Sequence, residues 1–279
     1  MIAMKTRIFV FVCFLSVFCF SCSFLEDVFG QLPDDDPFTN AEAVEAMKAA
    51  LNKGAESSSA QLNQKDAYYK TELKIPLPEE AENVRNFINK LENSGKFGEL
   101  LSGFSDKLFE TVIESVNRSA EHAAKEVVPV FSNAITSMTV QDGIKIVTGE
   151  DDAATVYLKE KTYSQLMVLY QPKMDKVLGT DLIGSVSAND AWASLTSKYN
   201  NIHDSIMENV FTKIAVEALN IPIPEPINTN LSEYVTGKAL DGVFVKVAEE
   251  EAKIRENPLG YASDIIKKVF GAVKAGFGK

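Results

Sequence analysis

The sequence predicts an all-α protein, and three observations lead to that fold class. Apolar residues recur at three- and four-residue steps in the long segments, which is the period of one helix face. Helix-capping residues and prolines stand where these segments begin and end. No run of alternating β-branched residues is long enough to require a sheet. Short connections between the segments favour an irregular multi-helix bundle with antiparallel neighbours.

The folded body begins with a helix that has a clear start. Thr39 and Glu42 have the spacing of a capping box, so a helix is expected from there to about Leu62. Residues 73–78 read L-K-I-P-L-P, and this stretch must be extended because each proline biases its predecessor away from helix. Pro78 then suits the first turn of a second helix.

The middle of the chain contains the clearest amphipathic helix, predicted over residues 100–124. Its stripe consists of Leu101, Phe104, Leu108, Val112, Ser115 and Ser119. Pro129 is predicted to break or kink this helix. Thr139 is then expected to cap a short helix, and Pro172 is expected to start a new helix after one that ends near Tyr170.

The last third of the chain is predicted to contain four further helices. Residues 188–199 and 202–219 have a helical pattern. Residues 221–230 read I-P-I-P-E-P-I-N-T-N and must form a loop, because three prolines exclude both a helix and a central strand. Thr236 is predicted to cap the long helix that follows, and residues 262–274 form the final helix.

The final helix has apolar residues on one side and lysines on the other. This pattern is compatible with a helix lying on a membrane surface. It is also typical of a terminal helix that packs on the core with its lysines outward. The second interpretation is favoured because Asp264 and the acidic remainder of the chain weaken attraction to lipid.

The first 21 residues have the three parts of a secretory signal. Lys5 and Arg7 supply the positive start, and residues 8–20 are almost wholly apolar. That run is shorter than the roughly 20 residues of a transmembrane helix. Cys22 follows directly and is the predicted site of lipidation in a bacterial lipoprotein, with acyl chains such as palmitate. A plain secreted protein and an uncut anchor helix are the alternatives.

The leader divides the chain into three parts: a lipoprotein signal peptide over 1–21, a lipidated tether over 22–37 and an all-α domain over 38–279. Cys22 is the only cysteine after the leader, so no disulfide can form within the mature chain. Acylation would also remove its thiol as a nucleophile. Ser23 follows Cys22 where an inner-membrane lipoprotein of enteric bacteria would carry Asp, which favours the outer membrane and its periplasmic face.

The charge balance excludes one class of partner. The chain has 28 Lys and Arg against 39 Asp and Glu, a formal net charge of −11. Loss of Lys5 and Arg7 with the leader leaves 26 basic residues and a net charge of −13. Nucleic acid is excluded because its phosphates require a basic footprint. Nucleophile-elbow, zinc-protease, paired-cysteine, P-loop and dinucleotide motifs are absent, so no catalytic residue, cofactor or metal is predicted.

Glu251 is the sharpest local anomaly because it falls on the apolar face of its own helix. A carboxylate there must be paired or protonated. Arg255, one turn further on, is the nearest partner, and Arg118 is a distant candidate. One interpretation is a buried acid in a ligand pocket. The favoured one is a buried ion pair that fixes helix register, because such pairs occur without any chemistry.

Two other sets of polar residues are weaker candidates for a functional site. His122 falls near the apolar stripe of its helix and is predicted to be a partly buried structural histidine rather than a base or metal ligand. Glu150, Asp151 and Asp152 are acidic like a calcium loop but lack the alternation and distal Glu of an EF-hand. Stabilisation of a helix N-terminus is the simpler interpretation of these acids.

Several segments carry a family resemblance. They are N-R-S-A-E at 117–121, A-I-T-S-M-T-V-Q-D at 134–142, D-D-A-A-T-V-Y at 151–157, Y-V-T-G-K-A-L-D-G-V-F at 234–244, E-E-E-A-K-I-R-E-N-P at 249–258 and I-I-K-K-V-F-G at 265–271. In order and spacing the chain resembles the bacterial domain of unknown function 4197 over most of residues 39–271, and matches it worst over 180–231. The resemblance implies an exported or lipid-anchored protein. That family has no assigned activity, so no catalytic residue is carried over.

The leading functional hypothesis is a membrane-anchored, non-catalytic binding or interaction module. Its partner is expected to be an apolar small molecule enclosed between helices or another envelope protein. The alternative is an envelope hydrolase that uses acidic residues, with or without a metal. A purely structural envelope protein is the third hypothesis.

Overall fold

The computed structural model describes residues 36–102 and 104–278, and the predicted all-α class is confirmed. The helices are α1 (Asn40–Leu62), α2 (Glu79–Ser94), α3 (Asp106–Ala123), α4 (Val127–Ser137), α5 (Gly143–Val147), α6 (Ala153–Leu178), α7 (Ala188–Glu208), α8 (Val210–Glu217), α9 (Leu231–Glu256) and α10 (Asp264–Lys274). Strands β1 (Asp181–Ile183) and β2 (Val186–Ser187) form an antiparallel hairpin. The predicted signal peptide and Cys22 lie outside the described residues. Among the residues described, no helix is long and apolar enough to cross a membrane.

Helix α9 runs through the middle of the core and packs antiparallel to α1. The Cα of Gly54 on α1 lies so close to α9 that an added Cβ would be 2.9 Å from Cγ1 of Val247. One turn further along α1, the hydroxyl of Ser58 donates to the carbonyl of Val243, one turn back along α9. This close approach requires a small residue at position 54, because any side chain would displace the buried Val247.

Helix α6 packs on another side of α9, also antiparallel. Thr155 at the start of α6 contacts Glu251 near the end of α9, and Tyr163 donates to the carbonyl of Gly237 near its beginning. Tyr68, in the turn after α1, is buried beside these helices and donates to the carbonyl of Ala239 at 2.8 Å. The core is therefore built around one long helix with neighbours that run against it.

The start of α1 is as predicted, whereas the start of α3 is not. The side chain of Thr39 accepts from the N–H of Glu42, and the Glu42 carboxylate accepts from the N–H of Thr39, which completes the capping box. Helix α3 begins only at Asp106. Leu101 and Phe104 are buried but lie in turns before it, so their apolar spacing reflects packing rather than a helical backbone.

Two other predicted caps are wrong. Helix α5 is capped by Asp142, whose side chain accepts from the N–H of Lys145, and not by Thr139. Helix α9 is capped by Asn230, and Thr236 is fully buried inside the helix. In both cases the Asp or Asn side chain that reaches the free N–H groups decides the start.

Proline 172 does not start a new helix, because α6 continues through it to Leu178. Its ring lies on the exposed side of α6. The missing N–H would have bonded the carbonyl of Val168, a residue that is 72% exposed, so water can satisfy that carbonyl. The helix therefore loses one bond without leaving a buried polar group unpaired.

Residues 180–231 contain three departures from prediction. The β1–β2 hairpin turns at Gly184, which has a positive φ of 62°. Its strands of three and two residues are too short to leave an alternating pattern in the sequence. Helix α7 continues without a break to Glu208, and Asn209 then separates it from α8. The predicted loop over 221–230 is confirmed.

Helix α10 docks on the core, which was the favoured interpretation. Ile266, Val269 and Phe270 are buried, and Val269 is completely so. On the outer side, Lys268 forms an ion pair with Glu42 of α1. The apolar side of α10 is thus used within the fold and is not available to a membrane surface.

Candidate functional site

Glu251 caps the N-terminus of α6 from a different helix. Its side chain is 1% exposed. One carboxylate oxygen, Oε1, accepts from the N–H of Ala154 at 3.0 Å, while Oε2 accepts from the N–H and the hydroxyl of Thr155 at 2.7 and 2.6 Å. The first N–H groups of a helix have no partner within that helix. Glu251 supplies a partner for the N–H groups of Ala154 and Thr155. The side chain of the N-cap residue Asp152 makes no capping bond.

Arg255 completes the same arrangement at the C-terminus of α5. Its guanidinium donates to Oε1 of Glu251 at 3.0 and 2.6 Å, and to the carbonyls of Val147 and Ile146 at 2.6 and 3.2 Å. The ring of Phe270 lies 5.1 Å from it. The pair therefore joins the end of α5 to the start of α6. Because both oxygens of Glu251 are already bonded, the carboxylate has no oxygen free for a substrate.

Arg118 does not contact this pair and belongs to a separate cluster. It donates to Glu121 at 2.8 Å and to Asp66 at 2.7 Å. Glu121 is 4% exposed, and its other oxygen accepts from the N–H groups of Tyr68 and Tyr69, both at 3.1 Å. The Arg118 cluster therefore fixes the turn after α1 to α3. As a partner for Glu251, Arg118 was the wrong candidate.

The charges of the Arg118 cluster stabilise one another. Burial alone would lower the pKa of Arg118, but hydrogen bonds from its guanidinium to Glu121 and Asp66 outweigh that effect and raise the pKa above its ordinary value. The same bond from Arg118, followed by one from Lys70, holds the pKa of Asp66 below its ordinary value. Both groups are therefore charged at neutral pH, as an ion pair requires.

Three carboxylates share one geometry; Glu251 and Glu121 are buried, and Glu80 is exposed. Glu251, Glu121 and Glu80 each accept hydrogen bonds from two consecutive backbone N–H groups of a distant segment. For Glu80 that segment is residues 228–229, just before α9. The side-chain amide of Asn117 also bonds a distant backbone. Its oxygen accepts from the N–H of Ile75, and its nitrogen donates to the carbonyl of Ile75, both at 2.8 Å. The segments 117–121 and 249–258 thus supply contacts that hold loops and helix ends in place.

The remaining predicted polar residues are exposed. His122 lies on the outer side of α3 with Nε2 3.0 Å from Nζ of Lys125, so the prediction of partial burial was wrong. Desolvation and then the charge of Lys125 lower the pKa of His122, which favours the neutral ring. Glu150, Asp151 and Asp152 form an exposed turn before α6. Within the described residues, no three His, Cys, Asp or Glu side chains are arranged to hold a metal ion.

A groove lies between α2 and the proline-rich loop over residues 221–230. It has a volume of about 650 Å³. It is lined by Glu80, Asn83, Asn86, Phe87, Lys90, Ile221, Pro222, Pro224 and Glu225. The groove opens to solvent, so it differs from the enclosed pocket expected between helices.

The exposed apolar residues of α8 form a surface that was not predicted from the sequence. Val210, Phe211 and Ile214 are 65, 86 and 58% exposed. Ala215 and Ala218 are exposed too, and at about 100° per residue all five fall within one arc of about 140°. We call Val210, Phe211, Ile214, Ala215 and Ala218 the α8 face.

Helix α8 is fixed to the body by its opposite side. Val216 is fully buried there, and Asn209 caps the helix by accepting from the N–H groups of Phe211 and Thr212, both at 3.1 Å. The sequence did contain a signal for the α8 face, because apolar residues surround this short helix instead of following one stripe. The prediction of a single helix over 202–219 did not separate α8 from α7 and did not say which of these residues face solvent.

Comparison with known proteins identifies the family. The family model described as protein of unknown function (DUF4197) matches residues 37–271. Searches of curated proteins and of solved structures gave no match. The matched range contains the Glu251–Arg255 pair, the Arg118 cluster and the α8 face. Because the match spans most of the sequence, the chain belongs to the DUF4197 family of proteins of unknown function.

Proposed function

We propose that this protein is a non-catalytic interaction module of the bacterial envelope. Acyl chains on Cys22 anchor it, in the outer membrane and on the periplasmic side, and the α8 face binds a partner protein. The exposure of Phe211 and its neighbours on α8 is the observation that carries the proposal. The hydrolase alternative has no comparable support, because Glu251 is buried and both its oxygens are bonded within the fold.

The α8 face is costly to leave in water. An aromatic side chain can bury about 150–250 Å², and at about 25 cal/mol per Å² the covering of Phe211, which is 86% exposed, is worth about 4 kcal/mol. Val210 and Ile214 would add to that gain. Association itself costs at least about 4 kcal/mol. Burial of the whole α8 face, rather than of Phe211 alone, is therefore what makes binding favourable.

The start of α1 and the middle of α7 are held near opposite ends of α9. Near the tether, Asn40 accepts from the N–H of Gly143 in α5, and the last carbonyls of α5 accept from Arg255 near the end of α9. Helix α7, which leads into α8, is held at the other end, where Asn200 accepts from the N–H of Ile227. Helix α9 has 26 residues and is about 39 Å long. An anchored body can therefore present α8 away from its own membrane.

Site-specific photo-cross-linking in the native cell tests the function. We would place p-benzoylphenylalanine at position 211 and, as a matched control, at position 259, because Leu259 is also an exposed apolar residue at 73%. A covalent protein adduct is expected from position 211 and not from position 259. The absence of a protein adduct at 211, or equal adducts at both positions, would contradict the proposed function.

A further inference from the structure

We propose that the partner of the α8 face is the α8 face of a second copy of this chain, with the two helices antiparallel about a two-fold axis. This inference rests on the proposed function, since it names the occupant of the same surface. Three features of α8 support it: two unpaired charges at one edge, a match of large and small side chains, and the small size of the surface.

Glu217 lies at the edge of the α8 face beside Val210, and Lys213 lies about 40° further round the helix. Lys213 and Glu217 are four residues apart on α8. Within residues 36–102 and 104–278 they form no ion pair, either with each other or with a third residue. A lysine that precedes a glutamate by four residues is the less favourable order for a pair within a helix. Both charges are therefore free for a partner.

An antiparallel two-fold pair satisfies both charges at once. A two-fold axis between antiparallel helices places the same edge of each helix against its copy, with the chain direction reversed. If the axis passes at the level of Ala215, Lys213 lies opposite Glu217 of the second copy, and Glu217 lies opposite its Lys213. Opposite charges that face each other across an interface fix its register and suppress wrong partners. The edge of α8 is thus complementary to itself.

The same register also matches the sizes of the apolar side chains. Phe211 comes to lie opposite Ala218 of the second copy, because the two positions are almost equally distant from the axis. Ile214 lies next to the axis, on the side of the two charges, and meets Ile214 of the second copy. A large residue against a small one allows two helices to interdigitate closely. Both Phe211 and Ala218 are exposed in the single chain, so no rearrangement is needed.

The size of the surface indicates where this pairing occurs. A stable interface buries about 800 Å² on each partner, and an eight-residue helix offers less than that. Pairing in dilute solution should therefore be weak. Anchoring both copies in one membrane raises their effective concentration, which strengthens a weak contact without adding any new one.

Charge reversal in the full chain tests the pairing. Two differently tagged copies would be expressed in the native cell with p-benzoylphenylalanine at position 211, and adducts that carry both tags would be measured. K213E alone and E217K alone each place like charges together, so we expect about a tenfold lower yield. Copies with K213E expressed beside copies with E217K should restore the yield, which also shows that both variants fold.

Every outcome of this experiment is decisive. Loss in each single variant and recovery in the mixture support the two-fold pair. Unchanged yield in the single variants, or no recovery in the mixture, overturns it. Adducts with a different protein only would overturn the second copy as partner while leaving the proposed function intact. No protein adduct at position 211 would overturn both.

Discussion

Glu251 and Arg255 lie on α9, but the helix ends that they stabilise belong to α5 and α6. Removing two charges from water is costly, and that cost is offset here by hydrogen bonds to backbone groups of α5 and α6 as well as by the ion pair itself. Those backbone groups would otherwise be buried without partners. The pair thus decides how α5, α6 and α9 meet.

Replacement of Glu251 by Gln should destabilise the protein strongly. The change leaves the guanidinium of Arg255, whose side chain is 8% exposed, without a counter-charge. Loss of one partner from a buried ion pair costs about 3–5 kcal/mol, which urea unfolding would measure. Glu249→Gln is the matched control on the same helix, since Glu249 is exposed and should change stability by less than about 0.5 kcal/mol. Equal effects of the two changes would show that the pair is not structural.

The Arg118 cluster should make stability depend on pH below about 4. The pKa of Asp66 is depressed below its ordinary 3.8 by bonds from Arg118 and Lys70. A depressed pKa contributes stability above that ordinary value, and the contribution is lost as pH falls through the folded pKa. Asp66→Asn should therefore lower stability at pH 7 more than at pH 3 in urea unfolding. Asp264→Asn is the control, since Asp264 is fully exposed and its replacement should show no such difference. A similar loss of stability for Asp66→Asn at both pH values would refute the ion pair of Asp66 as the cause.

Cys22 is the residue on which the proposed anchor depends. Cys22→Ala should move the protein from the membrane fraction to the soluble fraction and abolish labelling by a radioactive fatty acid, because no acyl chain can be attached. Cys19→Ala is the control, since Cys19 follows the bulky Phe18 and is a poorer modification site. Unchanged fractionation and labelling of the Cys22 variant would refute the lipoprotein assignment.

Single helices show how far the sequence alone could predict this structure. The start of α1 was predictable because the capping-box residues lie within three positions of one another. The Glu251–Arg255 contact was predictable because its spacing is one helical turn. The partners of Glu80 and Glu121 lie 148 and 53 residues away, and such distances leave no local pattern. The predicted start of α3 was wrong because Leu101 and Phe104, which have helix-like spacing, are buried residues of the turns before the helix.

Helix α8 was mispredicted for a tertiary reason. Whether Phe211 or Val216 faces the core depends on how the chain turns at Asn209, between α7 and α8. The apolar periodicity of the sequence does not predict that turn. An exposed apolar side and a buried apolar side look alike in sequence. The exposure of the α8 face therefore required the fold.

The orientation of α8 can be tested by a pair of substitutions. Phe211→Ser should leave the free energy of unfolding within about 0.5 kcal/mol, because the ring is 86% exposed. Val216→Ala should lower it by about 2 kcal/mol, because Val216 is completely buried and a cavity is left. Urea unfolding of the two variants measures both effects. The opposite order would mean that α8 packs with Phe211 inward.

At the scale of the whole molecule, we propose an acidic body that has the anchor and the α8 face toward opposite ends. The predicted tether over residues 22–37 would extend at most about 50 Å. Removal of the predicted signal peptide would change the net charge from −11 to −13, and an acidic body opposes contact with anionic lipid. The body is therefore expected to stand off the membrane, with α8 directed toward neighbouring envelope proteins or another copy of the chain.

Photo-cross-linking from position 211 tests this account most directly. With p-benzoylphenylalanine in place of Phe211, the native envelope should yield a discrete protein adduct, and the same probe in place of Leu259 should yield none. Both positions are exposed and apolar, so only the α8 face distinguishes them. An equal yield from the two positions, or no protein adduct from position 211, would contradict the central claim that the α8 face is a binding surface.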